Sequence, residues 1–249
     1  MNTTTKELLA IISDVFGEPE GAYNIREDSQ CAGRRSTDQI KIESKTDKPG
    51  IDIIVKEGTL GEKVFIPACI TQSNVDDLVY NDFFIGEGAD VTIVAGCGVH
   101  TDGEESSKHN GIHRFFVGKN AKVLYLEKHV GVGKGTGERI INPETYIEIE
   151  DGGYLEMDTV QIKGVDSTIR KTNGVLRGSG KLVVKEKIMT HGNQHAETNF
   201  SIDLDGEDSG IDLISRSVAR DTSTQIFRSI INGNTRCTGH SECDAIIMD

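Results

Sequence analysis

Hydrophobic and polar residues follow two different periods along the chain. Apolar residues between Leu8 and Phe16 recur at the i, i+3, i+4 and i+7 spacing of an amphipathic helix. The pattern predicts a helix over residues 5–16, capped by Thr4 or Thr5. Residues 30–49 are polar and irregular, so residues 1–49 are predicted to form an N-terminal helical segment and an irregular connection.

From residue 50 onward, short β-branched runs alternate with glycine turns, which is typical of strands. A turn followed by an alternating strand recurs five times along this part of the chain. Its aligned apolar positions are Val91, Val123, Leu155, Leu182 and Leu213, separated by 32, 32, 27 and 31 residues. A near-constant period of this length indicates stacked units. An antiparallel sandwich is the alternative, but the long period favours an all-β parallel β-helix, or solenoid, over residues 50–249.

The open ends of a solenoid expose unpaired backbone groups and need to be covered. At the N-terminal end, the predicted helix is a candidate cap. At the other end, the run Ala245–Met248 predicts a strand that enters a further coil, and no capping element follows it.

Composition excludes several classes of function. Lysines and arginines number 27 against 40 acidic residues, so the net charge is −13, and no basic run exceeds Arg34–Arg35. Nucleic acid binding needs a basic groove and is therefore not expected. No apolar run approaches the roughly 20 residues that span a bilayer, and residues 1–20 lack a signal peptide pattern. Five cysteines without a C-x-x-C pair indicate a reducing compartment, the cytoplasm.

Cys97 and His100, followed by His109 and His113, form the first candidate metal site. Thiolate and imidazole ligands suit zinc, iron or copper. In a strand, however, positions 97 and 100 point to opposite faces. A cysteine between two glycines is more often a small core residue, so packing is the favoured interpretation.

Two further motifs have structural and functional interpretations. Residues 131–137 carry four glycines but lack the spacing of a phosphate-binding loop, so a flexible connection between coils is favoured. His195 and Glu197 share one strand face and could form an imidazole–carboxylate pair, but a polar surface ladder is favoured. The chain has no G-x-S-x-G nucleophile motif, and we predict no catalytic residue.

Cys237, His240, Glu242 and Cys243 form the densest group of metal-binding residue types. Soft thiolates select iron–sulfur species, zinc or Cu(I). If the segment is a strand, Glu242 and Cys243 face opposite sides, so one strand offers few ligands. A cluster at this position would need ligands from adjacent coils or from another subunit.

Several blocks of sequence resemble the SufB/SufD family of iron–sulfur cluster assembly scaffolds, in order along residues 50–249. The resemblance rests on Glu242–Asp249, Ser215–Arg220 and Ser229–Asn234, and on Tyr80–Gly86, Ala95–His100 and Gly164–Thr168, which are similar to compact archaeal and anaerobe members. The resemblance implies a right-handed parallel β-helix that pairs with a second SufB/SufD-type subunit or with itself. It also implies docking of a SufC-like ABC ATPase.

The cysteine of the family's C-D-[SA] motif falls on Cys243, which the resemblance identifies as the acceptor thiolate of a transient iron–sulfur cluster. Glu242, His240 and Cys237 are predicted to support it, and no other metal ligand is predicted. Family members normally continue past this point, with a His-Glu-Ala motif and an ATPase-docking region, so the chain is expected to be truncated or to lack docking. The chain is therefore predicted to be a scaffold and not an enzyme.

Two rival functions remain open at this stage. A carbohydrate-active β-helix would need aromatic subsites, and only 5% of the residues are aromatic. A purely structural docking subunit would follow if the functional carboxylate of the family is missing.

Overall fold

A computed structural model describes residues 1–248 as one helix and eighteen strands; Asp249, the last residue of the predicted core, lies outside this range. The elements are α1 (Thr3–Ser13), β1 (Ala22–Glu27), β2 (Gln30–Arg35), β3 (Ile40–Ser44), β4 (Gly50–Val55), β5 (Leu60–Ile70), β6 (Asp76–Ile85), β7 (Asp90–His100), β8 (Ser107–Val117), β9 (Lys122–Val132), β10 (Arg139–Ile141), β11 (Glu144–Ile149), β12 (Tyr154–Lys163), β13 (Ser167–Leu176), β14 (Lys181–Thr190), β15 (His195–Leu204), β16 (Gly210–Arg220), β17 (Thr224–Gly233) and β18 (Thr238–Met248). In the described range, the helix is too short and too polar to cross a membrane.

The strands form two sheets that face each other across one core. The first sheet runs in the order β18-β16-β14-β12-β9-β7-β5-β1-β2, and the second in the order β17-β15-β13-β10-β8-β6-β4-β3, with β11 between β8 and β13. From β4 onward, strands of successive coils pair in parallel. The predicted parallel β-helix is therefore confirmed, and the sandwich alternative is not.

The register confirms the repeat at four of its five predicted positions. Val91 pairs with Val123, Val123 with Leu155, and Leu155 with Leu182. The fifth position was wrong, because Leu182 pairs with Ile211 and not with Leu213. Since side chains alternate between the two faces of a strand, a slip of two residues still places Leu213 in the core.

The prediction that an irregular connection follows the helix within residues 1–49 is wrong, because strands β1, β2 and β3 lie there. Strand β1 joins the first sheet parallel to β5, and β2 pairs with β1 in antiparallel orientation. Strand β3 pairs with β4 in the same antiparallel way. The segment missed by sequence analysis thus adds the outermost strands at the N-terminal end of both sheets.

Helix α1 lies on the outer face of the first sheet, over β5, β7 and β9. Its cap is Asn2, whose side chain accepts a hydrogen bond from the Thr5 N–H at 2.7 Å, and not Thr4 or Thr5 as predicted. A Cβ at Gly98 would lie 2.7 Å from the Leu8 side chain. The glycines beside Cys97 therefore make room for the helix. We predicted the helix as a candidate cap for the end of the solenoid, but it covers a face of the first sheet instead.

Candidate functional site

A row of polar side chains runs through the interior of the first sheet beside the apolar core. Cross-strand pairing aligns its members, each on the next coil: Glu127, Thr159, Glu186, Ser215 and Cys243. We call this set the interior polar row. Its first four members are buried, and Cys243 is exposed. The register of the solenoid therefore leads a continuous polar row to the thiol that the sequence singles out.

Glu127 is the centre of a hydrogen-bonded group at the N-terminal end of the row. The Tyr125 hydroxyl donates to Glu127 at 2.8 Å, and His113 Nδ1 lies 2.9 Å from the same hydroxyl. Burial opposes ionisation of Glu127, but a hydrogen bond from His129 Nε2, 3.3 Å away, and the positive charge of Arg170 outweigh it and hold the pKa of Glu127 well below the usual range. Glu127 is thus a carboxylate within the solenoid.

Arg170, from the second sheet, lies between the two acids of the row. Its Nη2 donates to His129 Nδ1 at 2.9 Å, and an arginine cannot accept a hydrogen bond, so His129 Nδ1 carries no proton. Burial lowers the pKa of His129, which is consistent with a neutral ring. Arg170 lies 3.9 Å from Glu127 and 4.0 Å from Glu186. These separations are too long for direct hydrogen bonds.

Glu186 differs from Glu127 in its partners: two hydroxyl groups donate to it, whereas Glu127 also has His129 Nε2 at 3.3 Å. Its two oxygens lie 3.1 Å from the hydroxyls of Thr198 and Ser215. Complete burial raises its pKa above that of an ordinary glutamate. The two carboxyl groups of the row are therefore set apart by their surroundings, which lower the pKa of Glu127 and raise that of Glu186.

Cys243 lines a cavity of about 390 Å³ between the last strands of the two sheets. It is the one thiol in the lining, which also includes Glu186, Ser215 and Phe227. Burial raises the pKa of the Cys243 thiol, and the Glu186 carboxyl group in the same cavity raises it further. The geometry thus adds a single sulfur ligand to the interior polar row, beside this cavity.

The three predicted supporting residues do not gather around Cys243. Glu242 and His240 lie on the opposite, outer face of β18, where His240 Nε2 is 3.3 Å from Glu242 and Arg216 is 2.6 Å from it. Cys237 precedes β18 and packs against the apolar core. Within residues 1–248, no group of three or more His, Cys, Asp or Glu side chains is arranged to hold a metal ion.

The other candidate motifs have structural roles. Cys97 is buried in the interior, and His100 instead pairs with Asp102 at 3.4 Å, so the two do not form a site. Glu197 lies 3.9 Å from His195 and 2.6 Å from Arg228, as in a surface ladder.

The glycine-rich segment 131–137 was predicted to be a flexible connection between coils, but the structure shows a hydrogen-bonded corner. The N–H of Gly135 donates to Thr101 O at 2.9 Å, and that of Gly137 to Gly103 O at 3.1 Å. A Cβ at Gly135 would overlap the Gly103 carbonyl group. Gly133, Gly135 and Gly137 lie directly against the backbone of the preceding coil, and Gly131 lies against that of the following coil.

Sequence reasoning missed Glu127, Arg170, Glu186 and Ser215. The available signal was a polar residue at an inward position of an alternating strand, at the same point of successive repeats. Forty acidic residues and an uneven repeat length concealed it. Only the pairing register shows that these side chains are neighbours.

Comparison with known proteins gives a consistent match. The family model described as "SUF system FeS cluster assembly, SufBD core domain" matches residues 74–249. An "Iron-sulfur cluster assembly SufBD family protein" of Archaeoglobus fulgidus is 26% identical over 191 residues, which cover 76% of this chain and 50% of the relative. A SufBD family protein of Methanothermobacter thermautotrophicus (strain Winter) is 24% identical over 190 residues, covering 74% and 44%. The chain spans about half the length of the curated relatives it matches.

Proposed function

The chain belongs to the SufBD family of iron–sulfur cluster assembly proteins, and we propose that it acts there as a non-enzymatic scaffold whose Cys243 thiolate receives the nascent cluster. Membership of the family gives the role in cluster assembly; the acceptor residue is our proposal. The observation that carries it is the position of Cys243, which belongs to the interior polar row and is the one thiol lining the adjacent cavity.

The chemistry of this position suits a transient ligand. A thiolate is the standard protein ligand of iron in these clusters. Since Glu242 and His240 lie on the other face of β18, the strand supplies a single inward ligand. A cluster bound through one protein sulfur can be passed on more readily than one held by four. We propose that its remaining ligands come from a second subunit.

Anaerobic reconstitution with iron and sulfide tests the acceptor residue. We expect Cys243→Ala to lose most of the cluster absorbance that the wild-type protein gains. Cys237→Ala is the matched control, because it removes a nearby thiol that packs on the core, and it should load like wild type. Equal loading of the wild type and Cys243→Ala would refute the assignment.

We also propose that the protein works with a SufC-like ABC ATPase and pairs with a SufB/SufD-type subunit or with its own copy. Family membership supports these partners. All five cysteines are free, which agrees with the reducing cytoplasm as the place of action. Co-purification with a SufC-like ATPase and light scattering of the purified chain test the two associations separately.

A further inference from the structure

The guanidinium group of Arg170 is buried but only partly hydrogen-bonded within residues 1–248; just 7% of the side chain is exposed. Its Nη2 donates to His129 Nδ1 and Gln161 Oε1, at 2.9 and 3.2 Å. Its Nε is buried as well, yet no acceptor in the described part of the chain hydrogen-bonds to it. A buried donor on a charged group is destabilising unless it is paired. We propose that Arg170 Nε donates to one ordered water molecule, which is held between Arg170 and the Glu186 carboxyl group.

Arg170 lines an internal cavity of about 20 Å³ that has room for this molecule. The polar lining comes from both sheets: Glu127, Thr159 and Glu186 from the first, and Thr145, Arg170 and Thr172 from the second. All of these residues are buried. A single water requires roughly 10–15 Å³ and two to four polar partners. The cavity therefore meets both requirements, whereas an apolar cavity of this size would stay dry.

The distances across the cavity fit a bridging molecule. Arg170 Nε lies 4.0 Å from Glu186 Oε2, and Arg170 Nη1 lies 3.9 Å from Glu127 Oε2. Both separations are too long for a direct hydrogen bond, but a molecule bonded to each end can span them. Glu186 Oε2 also accepts from the Thr198 hydroxyl at 3.1 Å, and a carboxyl oxygen has a second lone pair for another donor. A water can thus accept from Arg170 and donate to Glu186.

The chemistry of the lining selects a neutral ligand. A guanidinium group is always charged and can only donate, so a cation could not pair with Nε and would be repelled. An anion could accept from Nε but would lie beside the Glu127 carboxylate in the same small cavity. Water both donates and accepts, so it suits these partners whether Glu186 is ionised or neutral. Because its partners come from β13 and β14, the bound water links the two sheets across the core.

A crystal structure of the whole chain at a resolution that shows ordered waters is the direct test. We expect a density peak within hydrogen-bonding distance of both Arg170 Nε and Glu186 Oε2. Thr159→Ile extends the side chain by a methyl group into the cavity and should remove the peak. Thr159→Val is the matched control, because it removes the same hydroxyl without this extension, and it should keep the peak.

Nuclear magnetic resonance tests the same contact in solution and needs no variant. In the isotope-labelled wild-type protein, the Arg170 Hε proton should show direct cross-relaxation with water, of the sign that a bound molecule gives. The same cross-peak should be retained in Thr159→Val and lost in Thr159→Ile. Wild-type protein without this cross-peak would contradict the proposal even if Thr159→Ile does not fold.

Crystals grown with rubidium chloride separate a water from a cation, since bound rubidium gives an anomalous signal. Such a signal in the cavity would overturn the proposal. So would wild-type crystals without density there, a direct hydrogen bond between Arg170 Nε and Glu186, or a peak that persists in Thr159→Ile. None of these measurements involves iron, sulfide or Cys243. Their outcome is therefore independent of the reconstitution that tests the acceptor thiolate.

Discussion

His113 shows how a single buried residue depends on its neutral form. Its Nδ1 lies 2.9 Å from the Tyr125 hydroxyl, and its Nε2 lies 3.3 Å from the Asn81 side-chain amide nitrogen. An amide nitrogen can only donate, so Nε2 accepts and Nδ1 carries the proton. Protonation of Nε2 would break the contact with Asn81. Together with burial, which lowers the pKa of His113 to about 4, this geometry keeps the ring uncharged.

The stability of the protein should therefore fall as the pH is lowered from neutrality. The pKa of His113 is about 4 in the folded protein and about 6.5 when unfolded. Between these values the unfolded state binds more protons, so stability that is complete above pH 6.5 is lost as the pH falls towards 4, by roughly 3 kcal/mol. His113→Gln should reduce the loss of unfolding free energy between pH 7.5 and pH 5, measured by urea denaturation.

The pKa of His129 is also lowered, so part of this pH dependence should survive in His113→Gln. His195→Gln is the matched control, because His195 lies on the outer surface, and it should show the full wild-type loss. An unchanged loss in His113→Gln would contradict the assignment of a neutral buried ring. The prediction concerns His113 alone and does not require any role in cluster assembly.

At the scale of elements, the corner at residues 131–137 shows why glycine recurs at every second position. Gly135 donates its N–H to Thr101 O at 2.9 Å, and a side chain at position 135 would overlap the Gly103 carbonyl group. The corner is therefore a close contact between coils. Its glycine content reflects the separation of two backbones and not flexibility.

Gly135→Ala should destabilise the fold by about 1–3 kcal/mol, as overpacking does in a close-packed region. Thermal or urea denaturation measures the loss. Gly17→Ala is the control, because a Cβ at Gly17 meets no heavy atom within 4 Å, and its stability should stay near wild type. Equal stability of both variants would show that the corner can open without cost.

The same scale shows which features the sequence could predict. The solenoid was predictable because glycine turns and alternating strands recur where each coil closes. Strands β1 to β3 were not, because they are short, polar and outside the repeat. Leu213 was assigned to the wrong partner because its coil is two residues shorter than the interval we measured. Because side chains alternate between the two faces of a strand, a register error of two residues keeps each side chain on the same face and does not change which residues are buried.

At the scale of the whole molecule, the site depends on register between coils that are far apart in sequence. Glu127 and Cys243 belong to one row although 116 residues separate them. A local motif singles out Cys243 as the candidate thiol, whereas Glu186 and Ser215 became visible only through the pairing register. A solenoid therefore conceals a site that no contiguous segment encodes.

The solenoid architecture also predicts how far a destabilising substitution acts along the molecule, because each coil contacts chiefly its neighbours. Phe115 is fully buried and stacks on Phe83 with ring centroids 4.5 Å apart. Phe115→Ala should cost about 3–5 kcal/mol. Hydrogen exchange should accelerate in β6, β8, β9 and β11 while β15 to β18 stay close to wild type.

Phe116→Ala is the matched control for this experiment. Phe116 is the next residue along β8 but faces outward, where it stacks on Phe84 at 5.1 Å between ring centroids. Because part of its surface is already in water, its loss should cost less than that of Phe115 and leave exchange in the coils nearly unchanged. A uniform acceleration from β1 to β18 in Phe115→Ala would show that the molecule unfolds as one unit. The coils around Cys243 would then unfold only together with the N-terminal half, and local unfolding around Cys243 would not occur.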